Sequence, residues 1–189
     1  MDKKTKPSKR KEMSGIYSRC LITKNIHLPI TEIGKNIKQT IEQYISFHFE
    51  EKCIVEGFIK KGSSVVINYS SGIVKGSNVI FEVVFECESC FPVEGMKIKC
   101  VAKNITKAGI RAESAEESPS PVVLFITRDH HYSSKYFASI EEGDKFTARV
   151  IGQRFELNDK FVSIIAELVE PKEYEKVFES RKHNLVIEE

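Results

Sequence analysis

Apolar positions follow two rhythms along the chain. Ile33, Ile37, Ile41 and Ile45 recur at a spacing of four, with Lys35, Lys38 and Glu42 on other faces. That spacing predicts an amphipathic helix of about 17 residues whose isoleucine stripe enters a core. Leu28-Pro29-Ile30-Thr31 reads as its entry, with Thr31 as the N-cap. Ile16 to Lys24 reads as a short strand before it. Cys53 to Ile59, Val65 to Tyr69 and Val79 to Phe85 read as strands after it, separated by Gly62, Ser70-Ser71-Gly72 and Gly76-Ser77-Asn78.

From residue 94 the period is two. Glu94-Gly95 opens a segment in which Lys97, Lys99 and Lys103 alternate with Ile98, Cys100 and Ala102. Glu142-Gly143 opens a second, with Lys145, Thr147 and Arg149 against Phe146, Ala148 and Val150. Such strands bury one face and show the other to water. A strand follows the turn at Lys107-Ala108-Gly109, and Val122 to Ile126 is a short apolar run. Val162, Ile164, Ala166 and Leu168 share a face after the hairpin turn Leu157-Asn158-Asp159-Lys160, where Asn-Asp tolerates positive φ. About five strands and almost no helical pattern predict a five-stranded OB barrel. The expected fold is therefore an α+β unit followed by an all-β OB barrel.

Pro92 cannot donate to a sheet ladder and suits a junction. The expected organisation is a disordered basic tail over 1–14, the α+β unit over 15–92, the barrel over 93–170 and a charged tail over 171–189. In that last tail a short helix would put Tyr174, Val177 and Phe178 on one side. Glu113 to Pro121 is acidic and proline-bearing, and reads as an exposed loop within the barrel unit.

Charge changes this picture locally. The chain carries 29 basic and 27 acidic residues, a formal +2. Lys3, Lys4, Lys6, Lys9, Arg10 and Lys11 face only Asp2 and Glu12 in residues 1–12, so the remainder is net acidic. Any nucleic-acid contact by that remainder must use local patches. If the barrel closes, its first and fourth strands are neighbours, and their lysine and arginine stripes merge into one patch. No apolar run approaches the ~20 residues of a membrane span. No secretion signal follows Met-Asp-Lys-Lys, and five cysteines without a framework fit free thiols, so an intracellular protein is expected.

Two clusters invite other chemistry. Cys87-Glu88-Ser89-Cys90 has the spacing of half a zinc knuckle, but there is no second close pair, and Cys100 falls on the predicted buried face. Zinc held with His130 or His131 is the weaker alternative, and no metal or cofactor is expected. Arg128-Asp129-His130-His131-Tyr132 lacks a nucleophile in a recognisable motif, so a binding loop is expected over a hydrolase site.

The order of parts resembles the stalk subunit of multisubunit DNA-directed RNA polymerases, the seventh subunit of RNA polymerase II and its archaeal counterpart. Phe81-Glu82-Val83-Val84-Phe85 and Phe91-Pro92-Val93-Glu94-Gly95 resemble that family's last tip strand running into its barrel. Ser71-Gly72-Ile73-Val74-Lys75-Gly76-Ser77 resembles its Gly-Ile/Val loop, and Gly109-Ile110-Arg111 its second barrel strand. The resemblance spans about residues 16–169. It implies a non-catalytic subunit with a tip docked on the polymerase core through Gly72, Ile73, Val74 and Gly76. It further implies a barrel of the ribosomal S-one type facing single-stranded nascent RNA, and a helical fourth-subunit-like partner.

On this reading Lys97, Lys99, Lys107, Arg111, Arg128, His130, Lys145 and Arg149 contact RNA and Phe125 stacks a base. The acidic segment 113–121 and the charged tails depart from the family. They suggest a divergent member of the kind large DNA viruses encode, placed in the nucleus, or in the cytoplasm or virion if viral. The alternative is a stand-alone OB-fold RNA-binding factor in translation or RNA decay.

Overall fold

The computed structural model describes residues 15–171. The expectations for residues 1–14 and for the tail beyond Pro171 lie outside the described residues. Strands β1 (Ser18–Pro29), β2 (Cys53–Ile54), β3 (Gly57–Ile59), β4 (Val65–Tyr69), β5 (Ile73–Lys75) and β6 (Asn78–Cys90) form one antiparallel sheet, with helix α1 (Ile37–Phe49) packed against it. β7 (Lys97–Ile105), β8 (Gly109–Ser114), β9 (Val122–Thr127), β10 (Lys145–Arg154) and β11 (Val162–Val169) close a barrel. A short helix α2 (Lys135–Ala138) joins β9 to β10. No helix among the described residues is long and apolar enough to cross a membrane.

β6 organises the first sheet. It pairs with β1 from Ser18↔Ser89 to Pro29↔Asn78 on one edge, and with β3, β4 and β5 in succession on the other. Val79, Phe81, Val83, Phe85 and Cys87 are its buried alternate positions, packed with Ile22, Ile26 and Leu28 of β1 and Ile41 and Ile45 of α1.

Four expectations are corrected here. β1 runs on through Leu28 and Pro29, because Pro29 takes the last position of the strand, opposite Asn78, where a missing N–H costs least. The helix is 13 residues long and starts at Ile37, after Asn36 in place of Thr31. Ile33 has extended backbone (ψ 101), so the isoleucine stripe begins before the helix does. The stretch 53–59 is a hairpin and not one strand, because Val55 and Glu56 turn the chain and Gly57 sits at φ +105. β5, read from sequence as a loop, pairs with β6 through Ile73↔Ile80 and Val74↔Val79.

The barrel order is β7-β8-β9-β11-β10, closing on β7, with β9 and β11 parallel. This is consistent with an OB fold. Ile98, Cys100 and Ala102, then Phe146 and Ala148, and Ile164 and Ala166 fill its interior, as their alternation predicts, together with Ile110 and Ala112 of β8 and Leu124 and Ile126 of β9. Register shifts at Ala102/Asn104 and Val150/Gly152 add the bend that closure of so few strands needs. Phe137 of α2 and Ile140 are buried with these residues. The α2 start is capped by Ser134, whose side chain accepts from the Phe137 N–H.

The joint between sheet and barrel is built from the chain on both sides. Ile16, Tyr17, Cys53, Phe58 and Cys90 belong to the barrel's apolar cluster. Cys53 N–H donates to Asp159 O (2.8 Å) and Asn158 N–H to Cys53 O (2.9 Å), pinning β2 to the β10–β11 turn. Lys60 pairs with Glu88 (3.2 Å) and with Glu117 of the barrel (3.5 Å), over the Tyr17 ring. These partners, Glu88 first, raise its pKa.

Candidate nucleic-acid interface

Pairing of β7 with β10 places Lys97 opposite Arg149 and Lys99 opposite Thr147, so the two basic stripes do meet on one face. They do not meet as free cations. Lys99 pairs with Glu116 (3.0 Å), Lys103 with Glu113 (3.7 Å) and Arg149 with Glu167 (2.5 Å). Among the described residues, Lys97, Lys107, Arg111 and Lys145 make no ion pair. The acidic segment is therefore more than an exposed loop. It lies against β7, buries Ser114 and Pro121, and reaches Lys60 through Glu117. These pairs are at the surface, where each contributes about 0–1 kcal/mol.

A second cluster lies across β8, β9 and β11. Arg111 is opposite Phe125, and Phe125 is opposite Ile165. All three are exposed, Phe125 at 37%, while exposed Phe161 lies four residues before Ile165, at the other end of this face. A guanidinium next to an exposed ring and aliphatic surface is suited to stacking bases. Phe161 and Ile165 were missed in the sequence because an outward position on an alternating strand gives no sign of which neighbour it meets.

Past one end of this face, Lys107 and Arg128 line a shallow groove with Ile105 and Thr106. Arg128 holds its guanidinium 5.6 Å over the Phe137 ring and donates to Thr106 O (3.5 Å). A second concavity of about 590 Å³ lies beyond Arg111, between Lys103, Val123, Phe161 and the acidic segment.

The two histidines separate. His130 is exposed in a single 3-10 turn. His131 Nε2 accepts from the Leu168 N–H (2.9 Å), so Nδ1 carries the proton and donates to Thr127 O (2.9 Å). It stacks on Phe137 and ties the end of β9 to β11. Cys87 faces Cys20 and Cys90 is opposite Phe58, both buried. Burial pushes the Cys90 thiol up to about 12. Among the described residues no group of three or more His, Cys, Asp or Glu side chains is placed to hold a metal ion.

At the far side of the first sheet, Ile73 and Val74 of β5 are each 68% exposed. Gly72 positions this edge. A Cβ there would meet Val79 Cγ1 at 2.5 Å and the Phe81 ring at 2.9 Å, so only glycine lets β5 lie this close to β6. Gly76 turns the chain into β6 at φ +62.

No protein-family model matches the chain. It is similar to a protein of Acanthamoeba polyphaga mimivirus named "Putative DNA-directed RNA polymerase subunit", at 23% identity over 171 residues. The match covers 82% of this chain and 83% of that protein. The chain, an antiparallel sheet with its helix joined to a five-stranded barrel, is a distant homologue of that protein from a large DNA virus.

Proposed function

We propose that this protein is a non-catalytic, stalk-type subunit of a DNA-directed RNA polymerase. The observation that carries the reading is a similarity to a named polymerase subunit long enough to take in both the sheet and the barrel. The division at Pro92 belongs to the same proposal, with residues 15–92 as the tip and 93–170 as the RNA-binding part. Its partners are the core polymerase subunits, a helical companion subunit and single-stranded nascent RNA.

The exposed edge at Gly72, Ile73, Val74 and Gly76 docks on the core enzyme. Burial of two such aliphatic side chains contributes about 1.5–3 kcal/mol each. RNA lies on the barrel with Arg111 and Phe125 at its centre and Lys107, Arg128 and His130 at one end. Lys97, Lys99, Lys145 and Arg149 flank it and contact phosphates. A backbone-directed, base-stacking interface of this kind is weakly sequence-specific and salt-sensitive.

Affinity purification of the tagged protein from its native cells tests the assignment. Large catalytic polymerase chains should be recovered, and the Ile73→Asp/Val74→Asp variant should lose them while keeping RNA affinity. Recovery with ribosomes or nucleases alone would instead support a stand-alone OB-fold factor.

A further inference from the structure

Cys20 and Cys87 sit directly opposite each other in the β1–β6 ladder, with their Sγ atoms 3.4 Å apart. Opposed residues in antiparallel strands have Cα separations of about 4.5–5.5 Å, inside the ~4.4–6.8 Å range a disulfide spans. Bond formation therefore needs side-chain rotation and no strand movement. Cys20 is half-buried and reaches solvent, while Cys87 lies buried beside it. The other thiols are placed differently. Cys53 and Cys90 lie opposite Phe58 on its two sides, and Cys100 donates to Ile98 O inside the barrel.

We propose that Cys20 and Cys87 form a redox-modification site, which low-molecular-weight disulfides of the glutathione class convert to an intramolecular disulfide linking β1 to β6. Cys20, as thiolate, attacks one sulfur of the oxidant and expels a thiolate, leaving a mixed disulfide at Cys20. Cys87 then gives up its proton to solvent or to the released thiolate and attacks the Cys20 sulfur, expelling the second thiolate. Two protein thiols are oxidised and one small disulfide is reduced to two thiols. Burial, then the hydrogen bond with Cys20, raises the pKa of Cys87, so its attack is the slow step and the close approach of the sulfurs is what permits it. The bond joins residues 67 positions apart and restricts the unfolded chain accordingly.

The test uses the full-length protein, reduced, freed of reductant and incubated natively with excess oxidised glutathione. Intact mass should fall by about 2 Da, and peptide mapping should give one cross-linked pair, Cys20 with Cys87. Tm should rise by about 5–10 °C and return on reduction. Cys87→Ser should stop with one glutathione on Cys20. Because Cys87 is buried and that variant is liable to unfold, Cys20→Ser is the second variant, and it should remain unmodified with an unchanged Tm. An unchanged wild-type mass, a wild-type protein that stops at a Cys20 adduct, or a bond to any other cysteine would overturn the proposal.

Discussion

Glu116 Oε1 lies 3.0 Å from Lys99 Nζ, so the loop between β8 and β9 turns back to cover a cation on the outer face of β7. Glu113 does the same to Lys103 at 3.7 Å. The barrel's basic stripe is thus partly neutralised by its own chain. Replacing both Glu113 and Glu116 by Ala should raise affinity for single-stranded RNA about three- to tenfold at low salt. It should also steepen the salt dependence, because each freed cation adds about 0.7 to the slope of log K against log salt. Fluorescence titrations at several salt concentrations measure both, and an unchanged slope would exclude the stripe from the RNA path.

The opposition of Arg111 and Phe125 makes a different demand. Phe125→Ala removes a stacking surface, which costs about 1–3 kcal/mol per base, or roughly 5- to 150-fold in affinity, with little change in salt slope. Arg111→Ala should lower both affinity and slope. Changing Lys97, Lys99 and Arg149 together to Ala should lower the slope most. If Phe125→Ala binds RNA like the wild type, bases do not rest on this face.

Glu50 supplies a pH dependence. It is buried, and its carboxylate accepts from the Gly62 N–H (2.8 Å), the Ser64 N–H (3.1 Å) and the Ser46 hydroxyl (2.9 Å). Burial alone would raise its pKa, but these bonds outweigh it and the pKa is lowered. The stabilisation it gives is present above the ordinary carboxylate range and is lost as pH falls through and below that range. Glu50→Gln should cost about 1–3 kcal/mol at pH 7 and less at pH 3. Urea unfolding at the two pH values checks this, and an equal loss at both would contradict it.

His131 tests the barrel. His131→Phe keeps a ring against Phe137 but leaves the Leu168 N–H and the Thr127 carbonyl without their partners. The expected cost is about 1–3 kcal/mol in urea unfolding. His130→Phe, at an exposed position, should fall within about 0.5 kcal/mol of wild type.

The barrel was legible in the chain because three of its strands, β7, β10 and β11, state their own inner face by alternation. Ile98, Cys100 and Ala102 declare theirs against Lys97, Lys99 and Lys103, and Asn158 takes φ +71 in the turn assigned to it. Other features depend on partners distant in sequence. Nothing near Lys99 announces that Glu116 will reach it, or near Cys20 that Cys87 will face it. The end of β1 is hidden because Leu28-Pro29-Ile30-Thr31 reads as a helix entry, and only the pairing of Pro29 with Asn78 at the end of the ladder shows that the strand runs on. The strand β5 is three residues long, too short for a period to show.

Lys75 sits at the end of β5, on the edge assigned to the polymerase core, and Lys107 and Lys160 lie on the barrel side. Lysine-directed cross-linking of the affinity-purified native complex, read by mass spectrometry, therefore tests the stalk assignment and its orientation together. The account predicts links from Lys75 to the large catalytic chains of an RNA polymerase, with Lys107 and Lys160 linked to them rarely. Links from Lys75 only to ribosomal proteins or nucleases, or catalytic-chain links confined to Lys107 and Lys160, would contradict it.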